Sequence, residues 1–475
     1  MSIINKWKKI PDSVKSALVF GFCSFFSSGI SFLLTSLFTR IMTKEQYGIV
    51  TEYNSWHYIL EVFAVLGLAS VGSFNVGLNE YRKRRENYIS NMLVLVNIST
   101  IAVFGVIFII RWILGIDIIL PDRLLIFMFI GFMFSPAMTF YLARKRYEYS
   151  YLKGALVTLG SVIAIQGLSI VFVLLTETET EEASMKVLGA LVGTLVFAIP
   201  LYVLLLAKGG LKQDFKMWKS MVIFTLPLLP HYLAMHVMNG ADRIMVSRLI
   251  SQEAAAVYGV ASALGTAAST AWIAINGSLQ PFIFNNLNAG NTEKIRRVTK
   301  VLVVLFAGIC FLISLFAPEI LFILAPQGYS EAIYALPPII GMSFLNALYN
   351  IYASIEFYHK KSVGIAVATV IASVLNILLN AWLIPIYGLV AAGYTSLISN
   401  AALTFFHYIG YTRCRKERVF SDLYILCVTC LCIGACICCR FMYEMLIPRI
   451  LVMLMIAIVI VLKRKNIQKI FKEYL

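Results

Sequence analysis

The sequence repeats a short polar segment at two points about 208 residues apart. Residues 40–48 read Arg-Ile-Met-Thr-Lys-Glu-Gln-Tyr-Gly, and residues 248–259 read Arg-Leu-Ile-Ser-Gln-Glu-Ala-Ala-Ala-Val-Tyr-Gly. Each copy lies where one long apolar run ends and the next begins. A second similarity, at nearly the same offset, relates residues 143–147 to residues 358–361. A duplicated apolar chain is typical of transporters built from two helical bundles, with the substrate site between them.

The apolar content of the chain predicts a polytopic membrane protein. Hydrophobic residues make up 60% of the sequence, and the mean hydropathy is +0.83. A membrane-spanning helix needs about 20 mostly apolar residues. Fourteen such runs are present, and the fold class predicted from them is all-α, with about 14 transmembrane helices. The runs are centred near residues 28, 63, 99, 132, 163, 196, 230, 265, 308, 344, 372, 399, 431 and 455.

The distribution of charge predicts the orientation of these helices. With a cytoplasmic amino terminus, 31 of the 40 Lys and Arg residues lie in cytoplasmic breaks or tails. Such asymmetry is the usual positive-inside pattern, and both termini are then cytoplasmic. The net charge of +16 is therefore attributed to the membrane topology, and no nucleic-acid partner is predicted. The acidic residues 176–182 fall outside, as a solvated loop.

Four segments are predicted from the repeat. Residues 1–15 form an amphipathic interfacial segment that contacts membrane lipids. Residues 16–210 form an N-terminal six-helix bundle, and residues 211–412 form the matching C-terminal bundle. Residues 413–475 add two further helices and a basic cytoplasmic tail.

The second apolar run carries polar residues at membrane depth. At 1.5 Å per residue from Tyr47, His57 and Glu61 lie roughly 15 and 21 Å below the surface, near the midplane. Asn54, His57 and Glu61 share one helix face because they are spaced by three, four or seven residues. Either His57 and Glu61 form a buried structural pair, or they serve as a proton or cation relay or a substrate contact.

The seventh run is interrupted by Pro227 and Pro230, which predict a kink. His231 and Asp242 follow on one helix face, and Arg243 is next to Asp242. Arg248 closes this helix, as Arg40 closes the first helix of the other half. The two arginines are either substrate contacts or side chains that extend to the interface. The candidate cavity residues are therefore Arg40, Asn54, His57, Glu61, His231, Asp242, Arg243 and Arg248.

Other polar groups are better explained by helix packing. Asn346 and Asn350, and likewise Asn376 and Asn380, are four residues apart, and such amides commonly bridge neighbouring helices. Six cysteines between residues 427 and 439 lie in an apolar run without a nearby His or carboxylate. They are predicted to pack as small apolar side chains.

No catalytic, cofactor or metal site is predicted. The sequence lacks an Asp-x-Asp motif, a Gly-rich phosphate loop with Lys-Ser/Thr, and a His-Glu-x-x-His motif. The polar breaks are also too short for a folded extramembrane domain that could hold catalytic residues. An enzyme is therefore disfavoured.

Three segments resemble Wzx-like polysaccharide exporters of the multidrug/oligosaccharidyl-lipid/polysaccharide flippase superfamily. They are residues 40–48, Asp242-Arg243 with Tyr258-Gly259, and residues 380–388 with Gly393 beyond. The resemblance covers essentially the whole chain. It implies two bundles arranged as a V around a central cavity that opens alternately to each side of the bacterial cytoplasmic membrane.

The resemblance also implies the substrate, an undecaprenyl-diphosphate-linked glycan moved to the outer leaflet for surface polysaccharide synthesis. A polysaccharide polymerase is a candidate partner. Under this hypothesis Arg40, Arg243 and Arg248 attract the anionic headgroup. Asn54, His57, Glu61 and His231 line its path.

Two alternatives share the fold. A cation-coupled multidrug antiporter needs a deep carboxylate, which Glu61 or Asp242 supplies, although residues 16–39 contain no acidic residue. A flippase for the peptidoglycan lipid precursor fits less well, because it predicts a more arginine-rich first bundle.

Overall fold

The computed structural model describes residues 11–68, 71–115, 119–359, 361–414 and 417–462. These residues form α-helices, short 3₁₀ turns and connecting loops, with no strand among them. The predicted all-α fold is confirmed. The helices are α1 (Asp12–Ile41), α2 (Lys44–Val65), α3 (Val71–Glu80), α4 (Arg85–Leu114), α5 (Asp122–Tyr147), α6 (Tyr151–Leu174), α7 (Glu182–Gly209), α8 (Phe215–Thr225), α9 (Leu229–Leu249), α10 (Gln252–Asn288), α11 (Thr292–Leu315), α12 (Ala317–Leu324), α13 (Ala332–Tyr358), α14 (Ser362–Tyr387), α15 (Leu389–Cys414), α16 (Asp422–Cys438) and α17 (Leu446–Leu462).

Helices occupy all fourteen predicted apolar runs. Within the described residues, 12 helical segments are long and apolar enough to cross a membrane. The second run is divided into α2 and α3, because Leu66 and Gly67 adopt left-handed backbone with φ of 55° and 62°. The last run is α17, whose described apolar stretch, Leu446–Met455, is shorter than the other spans.

The predicted break in the seventh run is present. Helix α8 ends at Thr225, a 3₁₀ turn covers Leu226–Leu228, and α9 begins at Leu229. Pro227 lies at the start of the turn, and Pro230 lies at the start of α9. At these positions no helical hydrogen bond requires the amide hydrogen that proline lacks.

The chain divides into two compact units, residues 1–256 and residues 257–475. Unit 1 contains α1 to α9, because α9 packs along α2. The division after residue 256 follows the packing of the helices, whereas the predicted boundary near residue 210 follows the sequence repeat. The packing therefore does not test the four predicted segments, which remain predictions. Residues 1–10 of the predicted interfacial segment, and the basic tail from residue 463, lie outside the described residues.

Unit 2 is built around the pairing of α13, α14 and α15, with α16 packed on α11 and α13. As predicted for amides that bridge helices, Asn376 of α14 donates to Ser396 Oγ of α15 at 3.1 Å. Asn380 donates to Asn376 at 3.2 Å and accepts a hydrogen bond from Thr395. Cys432 and Cys436 are buried and every cysteine in the described chain is free, consistent with apolar packing.

Candidate functional site

Helices α2 and α9 pack against each other in unit 1 and bring seven of the eight candidate residues onto one helix pair. Asn54, His57 and Glu61 lie on α2. His231, Asp242, Arg243 and Arg248 lie on α9. The eighth candidate, Arg40, lies in the last turn of α1 and donates from Nη1 to the Ser36 carbonyl oxygen at 2.7 Å.

Small residues set the antiparallel register of this pair. Gly48, at the start of α2, lies so close to the Gln252 carbonyl that a Cβ would overlap it. Further along, the backbone at Gly240 lies against Ser55, and the ring of Tyr232 lies against Gly67. The two duplicated segments of the sequence therefore meet, since Gly48 belongs to one and Gln252 to the other.

The carboxylate of Glu52 joins the two helices. Its side chain is 1% exposed and accepts four hydrogen bonds. Ser247 Oγ donates at 2.6 Å, Arg248 Nε at 2.9 Å and Gln252 Nε2 at 2.7 Å. Trp56 Nε1, one turn along α2, donates at 3.3 Å. Arg248 is thus held in an ion pair by Glu52, and its guanidinium also donates to the Ile119 carbonyl.

A second set of contacts fixes the junction of α1 and α2 against the start of α7. The Thr43 amide donates to Glu182 at 2.7 Å, and the Ala183 amide donates to Gln46 at 3.1 Å. These bonds satisfy amides at two helix starts, which have no partner within their own helices. The α1–α2 junction is therefore held on one side by α7 and on the other by α9.

Two basic side chains, Lys186 and Arg243, lie near Tyr47 at this end of unit 1. Lys186 Nζ of α7 is 3.9 Å from the centroid of the Phe38 ring and 4.9 Å from that of Tyr47. Arg243 of α9 lies within electrostatic range of Tyr47, and its Nε is buried without a hydrogen-bond partner. Neither cation forms an ion pair with a carboxylate of a described residue.

The exposed edge of the α2–α9 pair is polar. The ring of Tyr58 stacks on that of His236, with centroids 5.9 Å apart and planes 8° apart. Asn54 precedes Tyr58 by one turn, and Asn239 follows His236 by one turn; both asparagines are exposed. Glu61 is half-buried on the same side of α2 and makes no hydrogen bond to any residue that the structure describes.

His57 and Glu61 share a helix face, as predicted, but no hydrogen bond joins them in the described structure. The His57 ring packs on Phe132 of α5, with centroids 4.6 Å apart. On α9, Asp242 is 5% exposed, whereas Arg243 and His231 are half-buried. Asp242 thus lies on the packed side of α9.

Glu52, Lys186 and His236 were not among the candidates. Each is a polar residue within a predicted membrane-spanning run, which was the signal available in the sequence. Their partners lie on helices distant in sequence, about 195–200 residues away in the case of Glu52. Helical spacing within one run therefore gave no indication of these contacts.

The whole chain is similar in fold to solved transporters. A lipid II flippase MurJ in an inward closed conformation aligns with a TM-score of 0.69 at 14% identity, covering 95% of this chain and 98% of that chain. An inward-facing multidrug resistance MATE family transporter of the MOP superfamily aligns with a TM-score of 0.58 at 14% identity, covering 85% and 97%. The MATE multidrug transporter DinF-BH gives 0.57 at 17% identity, covering 85% and 96%.

Family profiles give the sequence-level relationship. No curated protein matches the chain significantly by sequence. The MatE profile matches residues 227–382. The profile described as polysaccharide biosynthesis protein matches residues 13–287, more than half of the chain, and includes α2, α9 and every candidate residue. This chain is therefore a multi-pass membrane protein that belongs to the polysaccharide biosynthesis protein family.

Proposed function

We propose that this protein is a flippase that translocates polyprenyl-diphosphate-linked oligosaccharides across the bacterial cytoplasmic membrane by alternating access. The family and the MurJ-like and MATE-like fold support a transporter. The substrate class rests on the chemistry of unit 1.

The observation that carries the proposal is the pair of cations beside Tyr47. A charged side chain within a membrane-spanning segment is costly unless it is paired or open to water. Lys186 Nζ of α7 lies 4.9 Å from the centroid of the Tyr47 ring, and Arg243 of α9 lies within electrostatic range of Tyr47. Neither has a carboxylate partner among the described residues. A diphosphate supplies the missing negative charge, and guanidinium groups bind phosphate oxygens with two parallel hydrogen bonds.

The neighbouring polar edge suits the sugar part of such a substrate. Asn54, Asn239 and Tyr58 offer donors and acceptors for hydroxyl groups, and the stacked Tyr58 and His236 rings offer an apolar face. Sugar hydroxyls need these partners because an unpaired hydroxyl costs several kcal/mol in an apolar medium. The polyprenyl chain stays in lipid.

The distribution of basic residues predicts on which side of the membrane Lys186 and Arg243 lie. With the basic breaks in the cytoplasm, the α1–α2 junction faces the outer side, and Lys186 and Arg243 lie toward the outer leaflet. In this orientation the cations draw the headgroup away from the inner leaflet.

Binding of undecaprenyl diphosphate to the full-length protein in lipid nanodiscs tests the proposal. Arg243→Ala and Lys186→Ala are each expected to weaken binding roughly 10- to 100-fold, since a hydrogen bond to a charged group contributes about 1.5–3 kcal/mol. Arg123→Ala is the matched control, because Arg123 is exposed and already paired with Glu181 at 3.0 Å. Equal affinities for Arg243→Ala, Lys186→Ala and the unmodified protein would overturn the proposal.

A complementation assay links binding to transport. In a strain lacking this protein, the unmodified chain is expected to restore surface polysaccharide, and Arg243→Ala is expected to restore much less. Full restoration by Arg243→Ala, at equal protein level, counts against the role of this residue.

The second candidate is a cation-coupled multidrug antiporter. The unpaired carboxylate of Glu61 and the MatE match over residues 227–382 favour it. The antiporter predicts that expression raises resistance to lipophilic cations and that Glu61→Gln abolishes this resistance. The flippase predicts no change in resistance and a requirement for Arg243.

Lipid II is a further polyprenyl-diphosphate substrate to distinguish. Rescue of cells depleted of their own peptidoglycan-precursor flippase would assign the protein to that substrate. Rescue of surface polysaccharide alone assigns it to glycan export.

A further inference from the structure

A cavity of about 570 Å³ lies between α11 and α16 in unit 2, at the ends of these helices that are predicted to be cytoplasmic. Its lining comes from the second turn of α11, from the loop after α15 and from the first turns of α16. The lining residues are Arg296, Arg418, Phe420, Ser421, Asp422, Leu423, Tyr424 and Cys427. None of them belongs to the candidate site in unit 1.

The loop that forms one wall of this cavity is held by the core of unit 2. Val419 and Phe420 are buried in that core, at 4% and 1% exposed. The Phe420 amide donates to the hydroxyl oxygen of Tyr411 on α15 at 3.1 Å. From α11, the guanidinium of Arg296 donates to the Arg418 carbonyl. The cavity is therefore shaped by the fold itself.

The polar end of the cavity is strongly basic. Residues 292–300 and 413–424 together contain eight Lys and Arg residues and three carboxylates, and two of the basic residues, at positions 415–416, lie outside the described residues. Among the carboxylates, Glu293 pairs with Arg296 and Arg297 at 3.0 Å, and Asp422 is not a free carboxylate. An anionic group at this end would therefore meet a net positive charge.

Two basic side chains at this end are left for a ligand. Arg418 is exposed, and Lys300 Nζ lies 5.3 Å from the centroid of the Tyr424 ring. No ion pair joins Arg418 or Lys300 to a carboxylate of a described residue. Arg296 is different, because its guanidinium is already bonded to Glu293 and to the Arg418 carbonyl.

The other end of the cavity is apolar and continues along α16. Leu423 and Cys427 are one turn apart, and both are exposed. Leu431, Gly434 and Cys438 extend this exposed face at helical spacing. At 1.5 Å per residue the face is about 22 Å long, which exceeds the hydrocarbon depth of one leaflet, half of about 30 Å.

A basic pocket joined to a long apolar face has the shape and charge of a bound lipid. A soluble anion would use only the basic end, and a neutral lipid would use only the apolar face. Basic pockets between membrane-spanning helices on the cytoplasmic side bind the headgroups of anionic lipids. Arg418 and Lys300 are placed to contact a lipid phosphate, and Tyr424 lies where aromatic side chains commonly meet the headgroup layer.

We propose that the cavity between α11 and α16 is a binding site for an anionic phospholipid of the inner leaflet. Arg418 and Lys300 contact the phosphate, and one acyl chain lies along the exposed face of α16 that begins at Leu423 and Cys427. This lipid is a bound partner of unit 2 and is distinct from the substrate proposed for unit 1.

Native mass spectrometry of the detergent-solubilised full-length protein tests the site with phosphatidylglycerol, and with phosphatidylcholine of the same acyl chains. Arg418→Gln and Lys300→Gln are each expected to weaken binding of the first phosphatidylglycerol about fivefold, because a basic side chain near an anionic headgroup contributes about 1 kcal/mol. Lys208→Gln is the matched control, because Lys208 is exposed at the end of α7 and is predicted to lie on the same side of the membrane. Phosphatidylcholine is expected to bind more weakly and to respond to none of the three substitutions.

A photoreactive phosphatidylglycerol gives the position of the site without a substitution. Cross-links are expected in peptides covering residues 292–305 and 417–431. Cross-links confined to other helices, or equal phosphatidylglycerol affinities for Arg418→Gln, Lys300→Gln and Lys208→Gln, would overturn the proposal.

Competition distinguishes other sources of phosphate. Neither inorganic phosphate nor undecaprenyl diphosphate is expected to displace the cross-linking lipid at equal concentration. Displacement by inorganic phosphate would show a simple anion site, and displacement by undecaprenyl diphosphate would assign the cavity to the transported lipid; either result would overturn the proposal. Lys186 and Arg243 are unchanged in these variants, so failure here leaves the proposed function of unit 1 standing, and the converse also holds.

Discussion

Two buried glutamates join helix pairs in this protein, and they are satisfied very differently. In unit 1, Glu52 connects α2 to α9 and to the start of α10 and accepts four hydrogen bonds, one of them part of an ion pair with Arg248. In unit 2, Glu356 connects α13 to α15 and is bonded to one nitrogen of His407. Both side chains are less than 5% exposed.

The difference separates a carboxylate with several donors from a carboxylate with a single hydrogen-bonding partner among the described residues. The oxygens of Glu52 are saturated by donors, so loss of its charge would weaken several hydrogen bonds at once. Among the described residues Glu356 has one hydrogen-bonding partner, the imidazole of His407, and Nε2 of that imidazole is buried without a hydrogen bond. A buried carboxylate is therefore not a functional signal by itself, and the number and kind of its donors distinguish the two cases.

The largest expected effect is the contrast between Glu52→Gln and Glu356→Gln. Loss of the Glu52 charge removes the ion pair with Arg248 and leaves donors facing an amide, which is expected to cost about 3 kcal/mol. Glu356→Gln keeps a side chain of the same size opposite the one bonded nitrogen of His407, so the expected change in stability is smaller. Thermal unfolding of the purified protein in nanodiscs measures both.

Glu45→Gln is the control for this comparison, because Glu45 also lies on α2 but is exposed. It is expected to unfold at the same temperature as the unmodified protein. Similar losses for Glu52→Gln and Glu356→Gln would remove the distinction between the two carboxylates.

The next largest effects are expected at Gly48 and Gly410, the glycines at the two helix contacts. Gly48→Ala places a methyl group against the Gln252 backbone carbonyl, which moves only if the helices separate. The expected loss is about 1–3 kcal/mol of stability. Gly410→Ala meets the end of the Glu356 side chain, which can rotate, so a smaller loss of stability is expected.

Gly29→Ala is the control for the Gly48→Ala and Gly410→Ala substitutions. No atom lies within 4 Å of a Cβ at Gly29, and alanine is the better helix former, so its stability is expected to be unchanged or slightly raised. Stability is read from the same unfolding measurement. If Gly48→Ala behaves like Gly29→Ala, the close approach of α2 to the α9–α10 turn is not needed for stability.

The helices could be predicted from the sequence because hydrophobic runs of membrane-spanning length are a local property. The kink at Pro227 and Pro230 is local for the same reason. The pairing of α2 with α9 is not local: it depends on contacts such as that of Gly48 with Gln252, about 204 residues away. Nothing in either run specifies which of the other helices it will meet.

Only part of the site could be predicted, because helical spacing is a local property and helix packing is not. Spacing predicted that His231 and Asp242 share a face of α9, but not whether that face is packed or open. Met238 and Asp242 proved to be buried, whereas Asn239, on another face, is exposed. Periodicity gives the faces of a helix, and tertiary packing decides which one borders water or ligand.

The smallest expected effect concerns a third carboxylate, Asp214, in the loop before α8. It accepts hydrogen bonds from the Lys216 and Met217 amides at 3.1 and 3.4 Å and pairs with Arg84 at 3.0 Å. Desolvation acts to raise the pKa of Asp214, but the Met217 amide and the Arg84 guanidinium outweigh it, so the pKa lies below its ordinary value. Asp214 therefore resembles Glu52 in its donors but lies near solvent.

A lowered pKa fixes the sign of the pH dependence. The stabilising contribution of Asp214 is complete above the ordinary pKa of an aspartate and is lost as pH falls through the lowered value. Asp214→Asn is therefore expected to lower the unfolding temperature slightly at neutral pH and not at all in strong acid. Because exposed ion pairs are screened, the neutral-pH difference should shrink in high salt, whereas that of Glu52→Gln should persist. A salt-independent loss for Asp214→Asn would show that donor number alone, and not burial, determines how firmly a carboxylate joins two segments of this protein.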